Sequence, residues 1–223
     1  MVSIAIDGPS GAGKSTLARR LAAELGYVYV DTGAMYRSIG LYTLRAGADC
    51  GSEAAVAALL PQISLSLEYQ DGAQHILLNG EDVSDAIRTP EVSMAASAVS
   101  AHPPVRAFLL ETQRELARRQ NVLMDGRDIG TVILPNAQVK IFLTASPEER
   151  ARRRFEELKA RGEAVTYEQV LEDVVQRDYN DTHREAAPLK AAPDAVTVDT
   201  TGNDFEQSVS QLRSVIEEKL AAL

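Results

Sequence analysis

The chain opens with an apolar segment that leads through a glycine-rich stretch into a helical pattern. Residues 2–6 are mostly apolar and β-branched, which is typical of a buried strand. Over residues 14–25 leucines recur every four positions, which predicts a helix that Gly26 ends. A second strand is predicted at residues 27–30. A strand, a helix and a strand within roughly thirty residues form a right-handed βαβ unit, so the sequence predicts a parallel sheet covered by helices.

The pattern is less regular in the middle of the chain, where we expect an insertion. Residues 53–60 predict an alanine-rich helix. Apolar and polar side chains alternate over residues 63–67 and, more loosely, over residues 75–83, with the turn signal Asp71-Gly72 between them. The sequence therefore predicts a small β-hairpin at this point.

The alternation of helices and strands resumes after Pro103 and Pro104. Asp204 is the predicted N-cap of the last helix. The predicted helices are 105–119, 147–161 and 167–184, and the predicted strands are 122–124, 139–143 and 195–198. The apolar stripe of the last helix is predicted to be Phe205, Val209, Leu212, Ile216 and Leu220.

Composition narrows the function classes. The chain has 223 residues and a formal net charge of −9, which fits one core with small insertions and argues against a binder of nucleic acid or anionic membranes. Because the single cysteine, Cys50, has no partner for an intrachain disulfide, we expect a reducing, cytoplasmic environment. The N-terminus has no basic leader and no segment is apolar enough to span a bilayer, so a soluble, unprocessed protein is predicted.

The glycine-rich stretch matches the phosphate-binding motif G-x-x-x-x-G-K-[ST], and it lies between a predicted strand and a predicted helix. In such a loop, backbone N–H groups surround an anion, Lys14 reaches the outer phosphates and the Ser15 hydroxyl binds Mg²⁺. The alternative is a glycine-rich turn with an exposed lysine. The predicted nucleoside triphosphate site consists of Gly8, Pro9, Ser10, Gly11, Ala12, Gly13, Lys14, Ser15 and Thr16.

Two further polar segments follow predicted strands, at the edge where parallel sheets bind ligands. These are residues 31–37 and 125–131. Arg37 and Arg127 are candidates for clamping an acceptor phosphate, because a guanidinium group binds phosphate with two parallel N–H bonds. The alternative for each segment is a helix cap or a local ion pair.

Two aspartates are candidates for organising Mg²⁺. Asp125 ends an apolar strand and is the better candidate for a carboxylate that holds the ion through water, whereas Asp7 is the weaker one.

Two arginine-containing patterns remain open from the residues alone. Arg177, Asp181 and Arg184 share one helix face, and a solvated salt-bridge ladder is the favoured interpretation of that spacing. The second pattern predicts a lid that closes over a triphosphate, with pairing to neighbouring glutamates as the alternative for some of its members. This cluster consists of Arg150, Arg152, Arg153 and Arg154, with Arg161 nearby.

With these segments in view, the chain resembles the bacterial cytidylate kinases of the nucleoside monophosphate kinase group. The resemblance covers essentially the whole length, including the predicted hairpin. The motifs that carry it are IDGPSGAGKST at 6–16, DTGAMYR at 31–37, IRTPEV at 87–92, DGRDIGT at 125–131, and the residues from Arg177 through Arg184 to Leu189.

The resemblance implies transfer of the γ-phosphoryl group of ATP to CMP or dCMP, with Mg²⁺. It implies that Ser97, Arg106 and Asp128 read the cytosine, that Thr32, Arg37, Arg127 and Arg184 hold the monophosphate, and that Arg177 and Asp181 face the sugar. We expect catalytic roles for Lys14, Asp125, Arg127 and Arg184, metal contacts from Ser15 and Asp125, and an ATP contact from Arg154.

The expected fold is α/β, with a parallel β-sheet flanked by helices of the P-loop NTP hydrolase type. We expect a core formed by residues 1–36, 103–149 and 171–223, a hairpin-containing monophosphate-binding insertion at 37–102, and a helical lid at 150–170. The expected partners are ATP and CMP or dCMP, with no nucleic acid and no membrane, and the expected state is a monomer.

Two alternative functions stay open. One is another small P-loop kinase, such as a thymidylate, shikimate or dephospho-coenzyme A kinase, whose acceptor does not need a cytosine-reading set. The other is a nucleotide-binding switch. A guanine-specific switch carries Asn-Lys-x-Asp after a late strand, and that motif is absent from the sequence.

Overall fold

The computed structural model of the protein describes residues 1–70 and 73–222. The helices are α1 Lys14–Leu25, α2 Thr32–Arg45, α3 Glu53–Leu59, α4 Pro90–Val99, α5 Pro103–Arg119, α6 Pro147–Ala160, α7 Tyr167–His183 and α8 Phe205–Ala221. The strands are β1 Ser3–Asp7, β2 Val28–Asp31, β3 Leu65–Gln70, β4 Ala73–Leu78, β5 Glu81–Asp82, β6 Val122–Gly126, β7 Val139–Thr144 and β8 Val196–Asp199.

The central sheet has five strands in the order β2-β6-β1-β7-β8, and every pair in it is parallel. On one face it packs against Leu21 of α1 and Leu212 of α8, and on the other against Met35 of α2 and Leu109 of α5. Burial on both faces explains why the central strands are nearly continuous apolar runs. The predicted parallel sheet covered by helices is confirmed.

Three carboxylates meet at the carboxyl edge of this sheet. Strand β1 ends at Asp7, β2 ends at Asp31, and Asp125 near the end of β6 lies opposite Asp31 in the register. This edge is where ligands bind in parallel sheets, and it positions the site described below.

The insertion forms a three-stranded antiparallel sheet, β3-β4-β5, and the prediction of a two-stranded hairpin was incomplete. The segment predicted as one strand over residues 75–83 is broken at Asn79 and Gly80, which have φ angles of 50° and 84°. Asn-Gly favours such a left-handed turn. The predicted turn at Asp71-Gly72 lies outside the described residues.

Two helices were not predicted. Helix α2 begins where the Asp31 carboxylate accepts a bond from the Ala34 backbone N–H, and α4 begins at a Thr89 cap followed by Pro90. The two helices approach closely, since a Cβ added at Gly40 would lie 3.0 Å from the Ala96 backbone nitrogen. Because the residues at this contact are small, such as Gly40 and Ala96, the sequence lacks the stripe of large apolar side chains that predicts a helix.

Helices α6 and α7 pack against each other around a small apolar cluster that includes Ala151, Leu158, Val170 and Val174. The Phe155 and Tyr167 rings meet edge to face with their centroids 6.3 Å apart. The pair therefore has apolar contacts of its own. Across residues 1–70 and 73–222, no helix combines the length and the apolarity that crossing a bilayer requires.

Candidate active site

A cavity of about 700 Å³ opens at the carboxyl edge of the central sheet. The loop after β1, the start of α2, the end of β6 and the facing sides of α4, α6 and α7 enclose it. The site residues predicted from the sequence that line it are Ser10, Gly11, Gly13, Lys14, Ser15, Thr16, Thr32, Arg37, Ser97, Arg106, Asp125, Arg127, Asp128, Arg154, Arg177, Asp181 and Arg184.

The loop after β1 has the backbone of a phosphate cradle. Gly8, Gly11 and Gly13 have φ angles of 152°, 76° and 86°, and a Cβ at Gly8 would lie 1.9 Å from the Leu143 carbonyl oxygen. Among the residues that the structure describes, no side chain caps the first turn of α1, which leaves its N–H groups and its dipole for a ligand in the cavity.

Lys14 is buried at the base of this cradle. Its Nζ donates to the Pro9 carbonyl oxygen at 2.6 Å. Burial lowers the pKa of Lys14, and the neighbouring Arg127 lowers it further. The ammonium group therefore gains from an anion placed beside it, which is the electrostatic setting that a triphosphate supplies.

Ser15 and Asp125 lie together beside the cradle. Ser15 Oγ donates to Asp125 Oδ2 at 2.8 Å, and Asp125 is 4% exposed. Burial raises the pKa of Asp125, with Asp31 adding to the effect and Lys14 opposing it. A hydroxyl and a carboxylate next to a phosphate site are the oxygen ligands that Mg²⁺ prefers, so the residues present fit that ion.

Asp7 is not part of that oxygen set, which corrects its interpretation as a second metal candidate. Its two carboxylate oxygens accept the backbone N–H groups of Ile129 and Gly130, both at 2.7 Å. Burial raises the pKa of Asp7 to about 6, although these two bonds oppose the rise. Asp7 thus anchors the π-helical turn Ile129–Ile133, which directly follows Arg127 and Asp128.

Four arginines place positive charge in the middle of the cavity: Arg37, Arg127, Arg177 and Arg184. Arg37 is paired with Asp31 and Arg127 with Asp181, in both cases at 2.7 Å. Burial lowers the pKa of Arg177 to about 10, and like charges, with Arg127 first, add to the effect. Within residues 1–70 and 73–222, three of their buried nitrogens have no hydrogen-bond partner: Arg37 Nε, Arg177 Nε and Arg184 Nη2. Buried guanidinium donors without partners indicate an anion site.

Thr32 lies next to these arginines, but its hydroxyl is engaged with the protein. Thr32 Oγ1 donates to the Asp125 carbonyl oxygen at 2.7 Å. In this arrangement Thr32 joins the start of α2 to β6, and the hydroxyl has only its acceptor capacity left for a ligand.

Asp128 and Arg106 form a buried ion pair at the other end of the acceptor side. Burial raises the pKa of Asp128, whereas Arg106 and Arg184 lower it. The Arg106 guanidinium also lies 5.7 Å from the centre of the Tyr36 ring. Ser97 on α4 lines the same wall. The structure therefore brings the three residues that the resemblance assigns to a base into one cavity.

The salt-bridge ladder favoured from spacing alone is wrong for Arg177, Asp181 and Arg184. Asp181 pairs across to Arg127, the residue that follows β6, and Arg184 donates to the Ala187 carbonyl oxygen and to Ser100 Oγ. The α7 side chains face the cavity and are part of its wall.

The arginine cluster of α6 divides into buried, paired and cavity-lining members. Arg150 is 2% exposed and binds Asp178 and the Ser10 carbonyl oxygen, so its interpretation as a lid contact to triphosphate is wrong. Arg152 is exposed and pairs with glutamates, which is the alternative that the sequence left open.

Arg153 and Arg154 line the cavity. Arg153 also donates to the Thr200 carbonyl oxygen, and Arg154 pairs with Glu157 at 2.9 Å.

Several lining residues were missed by sequence reasoning. Asn203, Asp204, Phe205 and Ser208 close the far end of the cavity, beyond the cradle. Phe205 was predicted as a core residue of α8, but it is 42% exposed. Only its position, the first of the helix, distinguishes it from the buried members of the same stripe.

Comparison with known proteins gives consistent results. The sequence model of one family, Cytidylate kinase, matches residues 4–218. A cytidylate kinase of Carboxydothermus hydrogenoformans is 51% identical over 97% of this chain and 97% of its own length. One from Geobacillus kaustophilus is 50% identical over 98% of both chains, and one from Caldicellulosiruptor bescii is 49% identical over 95% of this chain and 93% of its own.

A solved structure supports the fold independently of sequence. An uncharacterized protein from Eubacterium ventriosum superimposes with a TM-score of 0.54 at 11% identity, covering 97% of this chain and 99% of that one. At that identity the likeness concerns the fold alone.

Proposed function

The chain belongs to the cytidylate kinase family, and on this premise we propose how its residues transfer the γ-phosphoryl group of ATP to CMP or dCMP. The enzyme is a nucleoside monophosphate kinase. We place both substrates in the cavity at the carboxyl edge of the sheet, with the donor triphosphate on the cradle and the acceptor phosphate at the arginines.

The donor side follows from the cradle. Backbone N–H groups at the start of α1 hold the phosphates of ATP, and Lys14 neutralises charge that spreads over the transferred group. The cradle residues proposed for this role are Gly8, Pro9, Ser10, Gly11, Ala12, Gly13, Lys14, Ser15 and Thr16, with Arg154 approaching from α6.

Ser15 and Asp125 would hold Mg²⁺, Ser15 through its hydroxyl and Asp125 through water. When bound, the ion supplies a positive charge that neutralises the phosphate oxygens. The contribution of the chain is to keep Asp125 buried and oriented beside Ser15.

The acceptor side needs positioning more than proton transfer. The phosphate of CMP is already largely ionised near neutral pH, so its oxygen attacks without a general base. Arg37, Arg127 and Arg184 hold that phosphate against the donor. The buried Arg37 Nε and Arg184 Nη2, which have no hydrogen-bond partner among the described residues, support this role. Arg177 and Asp181 would face the sugar.

Cytosine recognition is assigned to Asp128, Arg106 and Ser97. The exocyclic amino group of cytosine donates to the Asp128 carboxylate, while the guanidinium and hydroxyl groups donate to its ring acceptors. Uracil presents a carbonyl oxygen where cytosine has the amino group, so it sets one acceptor against another at the buried Asp128 carboxylate and is rejected.

Residues 37–102 are proposed as the acceptor-binding insertion and residues 150–170 as a lid. In the structure the two regions touch, because Arg161 after α6 donates to the Arg88 carbonyl oxygen at 3.4 Å. Closure across this contact would exclude the water that otherwise hydrolyses ATP.

One observation carries this proposal: the buried Arg106–Asp128 pair lies in the same cavity as the unpartnered arginine donors and the cradle. The test is initial rates with CMP, dCMP, UMP and AMP at a fixed Mg-ATP concentration. We expect CMP or dCMP to exceed UMP and AMP in kcat/KM by at least about 100-fold. Equal rates with all four acceptors, or no nucleotide phosphorylation, would overturn it.

A further inference from the structure

Both oxygens of the Asp125 carboxylate have a hydroxyl partner, and the two hydroxyls come from different elements. Ser15 Oγ on α1 donates to Oδ2 at 2.8 Å. Tyr29 on β2 donates its phenolic hydroxyl to Oδ1 at 2.9 Å. The carboxylate is therefore held from two sides, and only Ser15 belongs to the phosphate-binding motif.

Tyr29 reaches Asp125 because β2 and β6 are neighbouring parallel strands. Tyr29 lies opposite Leu123 in the register, two residues before Asp125. Its ring is 8% exposed and packs in the apolar cluster that contains Leu17 and Leu21. The Arg19 guanidinium lies 5.7 Å from the ring centre. Strand and helix contacts thus fix the phenol before any ligand binds.

This bond matters because the terminal torsion of an aspartate is soft. The χ2 angle of Asp has a broad distribution, so a single donor at Oδ2 does not determine where the carboxylate plane lies. A second donor at Oδ1 removes that freedom. The Ser15 hydroxyl can turn a lone pair towards a cation while its proton stays on Oδ2, so the bonds from Ser15 and Tyr29 together fix the carboxylate plane.

We propose that Tyr29 is a positioning residue for the metal site, which holds Asp125 so that Oδ2 faces the ion side of the cradle. The inference rests on the proposed role of Ser15 and Asp125. Carboxylates that serve metal ions are themselves held by hydrogen bonds, and loss of such a bond typically weakens metal affinity by ten- to a hundred-fold.

The test compares Tyr29→Phe with a control, Tyr42→Phe. The first variant keeps the ring and removes only the hydroxyl; the second removes a hydroxyl whose partner is Gln62, at 3.2 Å, away from the site. ATP binding is measured by calorimetry across a Mg²⁺ titration and again with a chelator present. In Tyr29→Phe we expect the Mg²⁺ concentration for half-maximal enhancement of ATP binding to rise about ten-fold, with chelator-state affinity unchanged.

The outcomes separate the two ideas. A wild-type Mg²⁺ dependence in Tyr29→Phe, or equal loss of ATP affinity with and without Mg²⁺, would overturn the role of Tyr29 and leave the metal site standing. If Mg²⁺ does not change ATP binding to the wild-type protein, the proposed metal site itself fails, and the inference fails with it.

A second measurement serves if Tyr29→Phe does not fold. Fluorotyrosine is incorporated into the otherwise unchanged chain, and its fluorine resonances are followed as Mg²⁺ is added to the ATP complex. The Tyr29 resonance should shift with Mg²⁺ while the Tyr42 resonance stays constant. A Tyr29 resonance that does not respond to Mg²⁺ would overturn the inference.

Discussion

The Nε of Arg127 donates to Oδ2 of Asp181 at 2.7 Å, and both side chains are mostly buried. The pair joins the residue that follows β6 to helix α7. Burial raises the pKa of Asp181, but Arg127 and the neighbouring Arg177 outweigh it and keep that pKa below its usual value. Asp181 therefore stays ionised and fixes the arginine that we place on the acceptor phosphate.

Replacing Asp181 with asparagine should weaken acceptor binding selectively. Arg127 loses its charged partner and its fixed orientation, and a hydrogen bond to a charged group contributes about 1.5–3 kcal/mol. Steady-state kinetics should show KM for CMP raised by at least about ten-fold, with KM for ATP within about two-fold of wild type. Glu172→Gln, an exposed change on the same helix, is the control. A matching rise in KM for ATP would contradict the assignment.

Lys14 and Arg184 should be required for turnover and dispensable for folding. Lys14→Ala removes the charge that faces the donor phosphates, and Arg184→Ala removes one that faces the acceptor. Loss of one preorganised electrostatic contact typically costs about 100- to 1000-fold in kcat. A coupled assay measures the loss, and circular dichroism checks that the variants stay folded. Lys190→Ala, at an exposed position, should leave kcat unchanged. Wild-type turnover in either site variant would refute the mechanism.

Asp128→Asn should reduce the preference for cytosine over uracil. The asparagine amide can donate to the uracil carbonyl, which the carboxylate cannot do, and it loses the ion pair with Arg106. We expect kcat/KM for CMP to fall by at least about 100-fold, and the ratio of CMP to UMP to fall with it. Rates with both acceptors give the ratio. Asp49→Asn, in an exposed loop, is the control, and an unchanged ratio in Asp128→Asn would contradict its role in base recognition.

The parts of the fold that the sequence predicted are those in which one local rule dominates. The helix at Lys14–Leu25 has the predicted bounds, because a leucine stripe and a terminal glycine coincide there. The break at Asn79-Gly80 also has a local signal, the Asn-Gly pair itself, but the alternation of apolar and polar residues continues across it and predicts a single strand. The helix at Pro90–Val99 lacks such a signal, since its packing depends on small residues meeting Gly40.

The site residues that were missed or misassigned depend on partners far along the chain. Arg150 and Arg152 stand in the same run of charged residues, and nothing local distinguishes them. Arg150 is buried because Asp178 and the Ser10 carbonyl group approach it. Tyr29 reads as a core residue of a strand, and its bond spans 96 positions. Asp7 looked like a metal ligand because its two backbone donors lie more than a hundred positions away.

The cradle should tolerate no side chain at Gly8. A Cβ there would lie 1.9 Å from the Leu143 carbonyl oxygen, a contact that only backbone movement can relieve. Gly202 is the matched control, because its φ is 77° and nothing lies within 4 Å of its added Cβ. We expect Gly202→Ala to cost about 1 kcal/mol in the free energy of unfolding, and Gly8→Ala to cost several times as much. Denaturant titration of both variants measures these changes in the free energy of unfolding. Equal losses of stability in the two variants would contradict the close approach of Gly8 to the Leu143 carbonyl group.

The buried carboxylate of Asp7 should give the protein an unusual pH dependence of stability. Burial raises the pKa of Asp7 from 3.8 to about 6. Between these pH values the folded chain keeps a proton that the unfolded chain has released, so this group makes the free energy of unfolding fall as the pH rises. At about 1.4 kcal/mol per pKa unit, the fall amounts to about 3 kcal/mol and is complete above about pH 6.

Asp7→Asn isolates that contribution because an amide does not titrate. The variant should be less stable at every pH, since the amide has one acceptor oxygen for the two N–H groups of Ile129 and Gly130. Its deficit relative to wild type should shrink by about 2 kcal/mol between pH 4 and pH 7, as wild type loses stability and the variant does not. Urea unfolding at each pH measures both curves, with Glu172→Gln as the exposed control. A deficit that stays constant or grows with pH would show that the two backbone bonds, not burial, dominate the ionisation of Asp7.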